Sequence, residues 1–102
     1  MFTEITPDNF EAVLHGTPGA LVVEFYSPTC GHCKRTEAGL RELEEPQAAF
    51  ARLDVLAHPE LAELYEVTNL PTLLFLKDGE LKNKLIGYTH PLVAAEEIHK
   101  LL

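Results

Sequence analysis

The sequence predicts an α/β protein whose central mixed β-sheet is flanked by helices. Segments with strand-like and helix-like patterns alternate along most of the chain, which favours parallel strands joined by helices. The run Ala20–Tyr26 is almost continuously apolar, as in a strand covered on both faces. Near the end, Asp78-Gly79 is a hairpin signal that adds antiparallel strands. With 102 residues, 46% of them hydrophobic, we expect a single domain spanning residues 1–102.

The N-terminal half is predicted to hold two strands and two helices. Phe2–Ile5 alternates as a strand does, and Thr6-Pro7-Asp8 has the hydroxyl, proline and early acid of a helix start, with an apolar helix face following. The buried strand Ala20–Tyr26 ends at Ser27-Pro28-Thr29. Strong helix formers follow and stop before Pro46.

The C-terminal half is predicted to hold a strand, a short helix, a two-stranded hairpin and a closing helix. Their ranges are Ala49–Val55, Pro59–Tyr65, Thr72–Leu76 with Leu81–Ile86, and Pro91–Leu102. The strands are assigned from alternating or β-branched and apolar residues, and the helices from apolar residues at helical spacing. The predicted order is therefore β-α-β-α-β-α-β-β-α.

Charge and hydropathy exclude several classes of function. Eight Lys and Arg against 16 Asp and Glu give a net charge of −8, and the scattered lysines form no patch for nucleic acid. The longest apolar stretches, Ala20–Val23 and Leu73–Leu76, fall far short of the ~20 residues of a membrane span. The first residues have no basic or apolar region typical of a secretion signal. We therefore expect a cytoplasmic monomer that binds neither nucleic acid nor membrane.

The two cysteines form a Cys-Gly-His-Cys motif between a predicted strand and helix. The free N–H groups and positive dipole end of a helix stabilise a thiolate at Cys30 and lower its pKa. Cys33, one turn further in, is expected to stay protonated until it is needed. Cys30 then attacks a disulfide, and Cys33 resolves the mixed disulfide. Gly31 and His32 are candidate tuning residues, because a partly cationic imidazole favours the thiolate and makes the disulfide more oxidising. His32 is alternatively only an exposed helix residue.

A metal site is the alternative interpretation of the cysteine pair. Cys-x-x-Cys is half of a zinc ligand set, but a structural zinc needs four ligands. The chain has only two cysteines, and the remaining histidines are scattered, at His15, His58, His90 and His99. We expect no metal, and a binding or metal-holding module remains the alternative from another class.

Glu24 interrupts the apolar strand before the cysteines. If its carboxyl group is buried, its pKa is raised and it can accept the proton of Cys33 when that thiol must become a thiolate. The alternative is an edge strand with Glu24 facing solvent. Apolar residues on both sides of Glu24 favour burial.

The segment from Leu21 to Lys34, with Cys30 to Cys33 at its end, resembles the active-site segment of the thioredoxin superfamily. Its Cys-Gly-His-Cys version is similar to that of protein disulfide isomerase domains. Leu70-Pro71-Thr72 resembles the family's cis-proline segment, and Lys77–Glu80 and Gly87 fall where the family has its hairpin and a glycine facing the site. The resemblance covers nearly the whole chain and implies a thioredoxin fold.

The resemblance also implies a substrate-binding surface. Pro71 would be cis and opposite the cysteines, with the Leu70 backbone offered to an extended client peptide; a trans proline opening a strand is the alternative. Gly87 would face the site. Thr29 stands where the family usually has a tryptophan that contacts clients, and Thr89 stands where isomerase domains have a mobile arginine.

The implied function is thiol–disulfide exchange with protein disulfides, as a thioredoxin-like reductant. The protein would need no bound cofactor, because the Cys30–Cys33 pair is itself the redox group. Its electrons would come from an external reductase, a thioredoxin reductase-like enzyme. A disulfide oxidase or isomerase with the same site is the alternative.

Overall fold

The computed structural model describes residues 2–43 and 45–102, and these form the predicted elements in the predicted order. The strands are β1 (Phe2–Glu4), β2 (Ala20–Tyr26), β3 (Ala48–Asp54), β4 (Thr72–Lys77) and β5 (Glu80–Ile86). The helices are α1 (Phe10–Gly16), α2 (Gly31–Leu43), α3 (Pro59–Leu64) and α4 (Pro91–Leu101). Among these helices, none is both long and apolar enough to cross a membrane.

The sheet is mixed, in the order β1-β3-β2-β4-β5. β1, β3 and β2 are parallel, and β4 and β5 run antiparallel to their neighbours. β2 is the central strand, and its residues from Val22 to Phe25 are fully buried. The expectation of a strand covered on both faces is confirmed, and the edge-strand alternative for Glu24 is excluded.

Two apolar clusters cover the two faces of the sheet. Leu21, Val23 and Phe25 of β2 belong to the cluster that includes residues of α1 and α3. Val22 belongs to the other cluster, which includes residues of α2 and α4. Because successive side chains of a strand point to opposite faces, Glu24 lies on the same face as Val22, towards α2.

The first helix begins later than the sequence predicts. Thr6-Pro7-Asp8 does not open a helix, and α1 begins at Phe10. The Asn9 side-chain oxygen accepts a hydrogen bond from the Thr6 N–H at 2.8 Å, and its amide donates to the Glu4 carbonyl at 3.0 Å. These two bonds give the chain a turn in place of the first helical turn, since Asn side chains compete for nearby backbone groups.

The hairpin between β4 and β5 turns at Asp78-Gly79, as predicted. Both residues have positive φ, 50° and 82°, as a type I′ turn requires. A Cβ atom on residue 79 would lie 2.7 Å from the carbonyl oxygen of His15, so this position excludes larger residues twice over.

Gly79→Ala should therefore lower the free energy of unfolding by about 1–3 kcal/mol, measured by urea denaturation. Gly16→Ala is the matched control, because a Cβ there meets nothing within 4 Å. Equal losses in the two variants would contradict the steric explanation.

Candidate active site

Strand register brings the predicted site segments to one end of the sheet. Thr72 pairs with Phe25 near the end of β2, so the preceding Pro71 lies beside the point where the chain leaves for the cysteines. Ile86 pairs with Thr72 on the other side. The next residue, Gly87, has a φ of 90° and donates its N–H to the Pro71 carbonyl at 2.8 Å. The proline and glycine segments thus form one backbone surface at this end.

Cys30 and Cys33 are joined by a disulfide at the start of α2. Cys30 directly precedes the helix and is partly exposed, whereas Cys33 is 2% exposed. The Cys33 N–H donates to the Cys30 Sγ at 3.1 Å. A sulfur that accepts a hydrogen bond from the first helical turn is placed where a thiolate is stabilised. The accessible sulfur is therefore the one that the helix activates.

The peptide bond between Leu70 and Pro71 is cis, so the trans alternative is wrong. Pro71 is buried and Leu70 is half-buried. On the other side of the proline, the Thr72 hydroxyl donates to the Asn69 carbonyl at 2.7 Å, which ties the segment to the residues before it.

Three of the predicted site residues are exposed around the disulfide: Thr29, Gly31 and His32. Their roles in client contact and tuning stay predictions. Tyr88, which follows Gly87, is an aromatic side chain that the sequence reasoning missed. The Arg35 guanidinium lies over its ring at 4.5 Å from the centroid, and the tyrosine is 42% exposed.

Glu24 is fully buried, and neither of its carboxyl oxygens has a hydrogen-bond partner among the described residues. Burial, with a smaller contribution from the nearby Glu37 carboxylate, raises the pKa of Glu24 to about 8. Glu24 and Cys33 line the same cavity, of about 400 Å³. The predicted proton acceptor and the buried cysteine therefore share one space behind the disulfide.

The same cavity is lined by an ion-pair network that the sequence reasoning did not find. Glu37 accepts hydrogen bonds from Arg41 Nη2 at 2.7 Å and from Arg52 Nη1 at 3.0 Å. Arg52 also donates through Nε to Glu4 at 2.7 Å, and the Tyr26 hydroxyl donates to the same carboxylate at 2.7 Å. Burial alone would raise the pKa of Glu37, but the two arginines outweigh it and the pKa is lowered.

Two features of the sequence are consistent with this network, although neither predicts it without the structure. Glu37 follows Cys33 by four residues, and side chains at that spacing share one face of a helix. Arg52 interrupts the apolar residues of β3, and the register sets it opposite Glu24. The described residues contain no group of three His, Cys, Asp or Glu side chains able to hold a metal ion.

A disulfide at the start of a helix, at the end of the sheet that carries a cis-proline and above a buried carboxyl group, is the arrangement of thiol–disulfide oxidoreductases. The Thioredoxin family model matches residues 1–99. The chain belongs to the thioredoxin family. Proteins of this family exchange disulfides with their own cysteine pair and need no bound cofactor.

Similar proteins include both thioredoxins and isomerases. Thioredoxin of Staphylococcus epidermidis is 33% identical over 102 residues, covering 97% of this chain and 96% of that protein. Protein disulfide isomerase-like 1-4 of Arabidopsis thaliana is 42% identical over 85 residues, covering 79% of this chain. The chain spans only 14% of the length of that plant isomerase.

Among solved structures, oxidised mitochondrial thioredoxin 3 of Saccharomyces cerevisiae is similar to this chain. It has a TM-score of 0.87 and 33% identity, over 98% of this chain and 95% of the yeast chain. The predicted thioredoxin fold is confirmed.

Proposed function

We propose that this chain reduces protein disulfides as a thioredoxin-like monomer in the cytoplasm. A thioredoxin reductase-like enzyme then reduces the Cys30–Cys33 disulfide for the next cycle. The observation that carries the proposal is the unequal placement of the two sulfurs. The Cys30 sulfur is partly exposed and accepts a backbone N–H bond, whereas Cys33 is buried over the cavity that contains Glu24.

The reduction proceeds by two displacements. The Cys30 thiolate attacks a client disulfide, forms a mixed disulfide and expels one client sulfur as a thiolate. Cys33 then gives its proton to Glu24 and attacks the Cys30 sulfur, which expels the second client sulfur. Two electrons have passed to the client, the Cys30–Cys33 disulfide has closed, and the client thiolates take protons from water.

The raised pKa of Glu24 supports a proton transfer from Cys33 to this carboxylate. An ordinary carboxyl group with a pKa of 4.5 is a poorer base than a thiolate by a factor of about ten thousand, since an ordinary thiol has a pKa near 8.5. With its pKa raised to about 8, the Glu24 carboxylate is a much stronger base than an ordinary carboxylate and accepts a thiol proton more readily.

Two observations favour the reductant over an isomerase. Thioredoxins are among the relatives that this chain spans almost completely. Thr89 occupies the position where isomerase domains carry a mobile arginine; it is 5% exposed, with its N–H bonded to the Thr36 hydroxyl at 3.3 Å. A small buried threonine cannot supply the movable charge of that arginine.

The reduction potential tests the proposal, measured by equilibration with glutathione buffers. We expect a value between those of thioredoxin and protein disulfide isomerase, roughly −270 and −180 mV. His32→Pro should make the potential more negative by about 30 mV or more, a tenfold change in the equilibrium constant, because the imidazole between the two cysteines is lost. His99→Gln, an exposed histidine of α4, is the control and should leave the potential unchanged.

A wild-type potential near −120 mV, the value of a strong oxidant, would overturn the reductant in favour of an oxidase. Reduction of insulin disulfides, with dithiothreitol as the electron source, distinguishes an enzyme of either kind, reductant or oxidase, from a binding module without turnover. Absence of turnover in that assay would overturn the enzymatic function itself.

A further inference from the structure

Glu37 is a second carboxyl group that lines the cavity behind the disulfide. The proton transfer proposed from Cys33 to Glu24 does not involve it directly. Glu37 lies four residues after Cys33 on α2, and its side chain is 14% exposed. Both Glu37 and Glu24 line the cavity that Cys33 also lines. The two carboxyl groups and the buried cysteine therefore border one cavity.

The two carboxyl groups have opposite surroundings. Arg41 and Arg52 donate to Glu37 at 2.7 and 3.0 Å, and these charge-assisted bonds favour its ionised form. Glu24 has no hydrogen-bond partner among the described residues. Two neighbouring carboxyl groups on one cavity cannot both ionise without cost. Glu24, whose ionised form is the less stabilised of the two, therefore keeps the proton.

We propose that Glu37 is a positioning residue for the Cys33 proton: its carboxylate, held ionised by Arg41 and Arg52, strengthens Glu24 as the base that takes this proton. The inference rests on the proton-acceptor role proposed for Glu24. In this role Glu37 acts through the charge that it presents to Glu24 and takes no proton from Cys33 itself.

The other ionisable side chains near Glu24 and Glu37 lie on α2, β1, β2 and β3. Lys34 of α2 and Tyr26 of β2 line the cavity with Arg41 and Arg52, and Glu4 of β1 binds the far side of Arg52. β4 sets the apolar Leu73 opposite Glu24, and the buried residues of α4 are apolar, Ala94 and Ile98. Glu37 is therefore the negative charge that faces Glu24 most directly, and it raises the pKa of Glu24 while Arg52 and Arg41 lower it.

The test is a titration of the Glu24 side-chain carboxyl carbon by NMR in the oxidised protein, where neither cysteine titrates. In Glu37→Gln, the midpoint should fall by about one pH unit or more, because a nearby negative charge is removed. Glu42→Gln removes the same charge from an exposed position of α2 and should leave the midpoint unchanged. Glu37→Ala removes the same charge and provides a second variant should Glu37→Gln fold poorly.

Kinetics of mixed-disulfide resolution give the second measurement. Above pH 8, where Glu24 is ionised, Glu37→Gln should slow resolution about three- to tenfold, since a weaker base accepts the proton less readily. In a Glu24→Gln background, the Glu37→Gln change should have no further effect on the pH profile.

The outcomes separate the two roles. An unchanged Glu24 midpoint in Glu37→Gln or Glu37→Ala would overturn the role of Glu37 and leave that of Glu24 intact. Unchanged resolution in Glu24→Gln would overturn the role of Glu24, and the role of Glu37 in this step with it.

Discussion

Replacing Cys33 with serine should stop turnover at the mixed disulfide and leave a client bound covalently to Cys30. The serine hydroxyl fits the buried position, which is 2% exposed in the wild type, but it cannot expel the client sulfur. Insulin reduction should fall by roughly a thousandfold or more, as expected when a group essential for each cycle is lost. Intact-mass spectrometry should detect one client per chain, released by dithiothreitol.

Cys30→Ser is the matched control for the trap. It retains Cys33 but loses the partly exposed sulfur, so it should form no adduct and show no turnover. Turnover by Cys33→Ser at the wild-type rate would contradict its assignment as the resolving cysteine. Used with a cell extract, the same variant identifies the clients from the proteins that dithiothreitol releases.

Replacing Glu24 with leucine should stabilise the oxidised protein at alkaline pH by several kcal/mol. The pKa of Glu24 is about 8 in the folded protein and 4.5 when unperturbed. Between these values the unfolded chain releases the proton while the folded chain keeps it, so stability falls as pH rises. The loss is absent below pH 4.5 and complete above pH 8. Leucine has no charge to bury and fills a similar volume.

Urea denaturation at pH 5, 7 and 9 measures this effect. The decline between pH 5 and pH 9 should be much smaller in Glu24→Leu than in the wild type. Glu63→Leu, at an exposed position of α3, should keep the wild-type decline. If Glu24→Leu declines as steeply as the wild type, the buried proton is held elsewhere.

The fold was predictable because its pattern is local. The apolar run of β2, interrupted by Glu24, is buried well only when the strand is covered on both faces. Asp78-Gly79 allows few turns other than the one observed. The predicted helix start at Thr6 was wrong for an equally local reason. The Asn9 side chain forms hydrogen bonds with Thr6 and Glu4 that the helix pattern does not reveal. Glu24 could be predicted as a site residue because it interrupts the apolar sequence of β2. The cysteine motif could be predicted because it follows β2 at the start of a helix.

The charges around Glu24 were not predictable by the same reasoning. Arg52 faces Glu24 only through the register between β2 and β3, and no short stretch of sequence encodes a register. Glu37 looks like an ordinary charged residue of a surface helix until the cavity beneath α2 is known. Proton affinity in this site depends on tertiary placement, whereas thiol reactivity depends on one helix end.

The two borders of the sheet determine what can associate with it. β1 offers only three residues, and the exposed border strand β5 carries Glu80, Lys82 and Lys84. Short borders and lysine side chains discourage another chain from adding a strand. Both edges of the sheet therefore resist pairing with an extended segment of another chain.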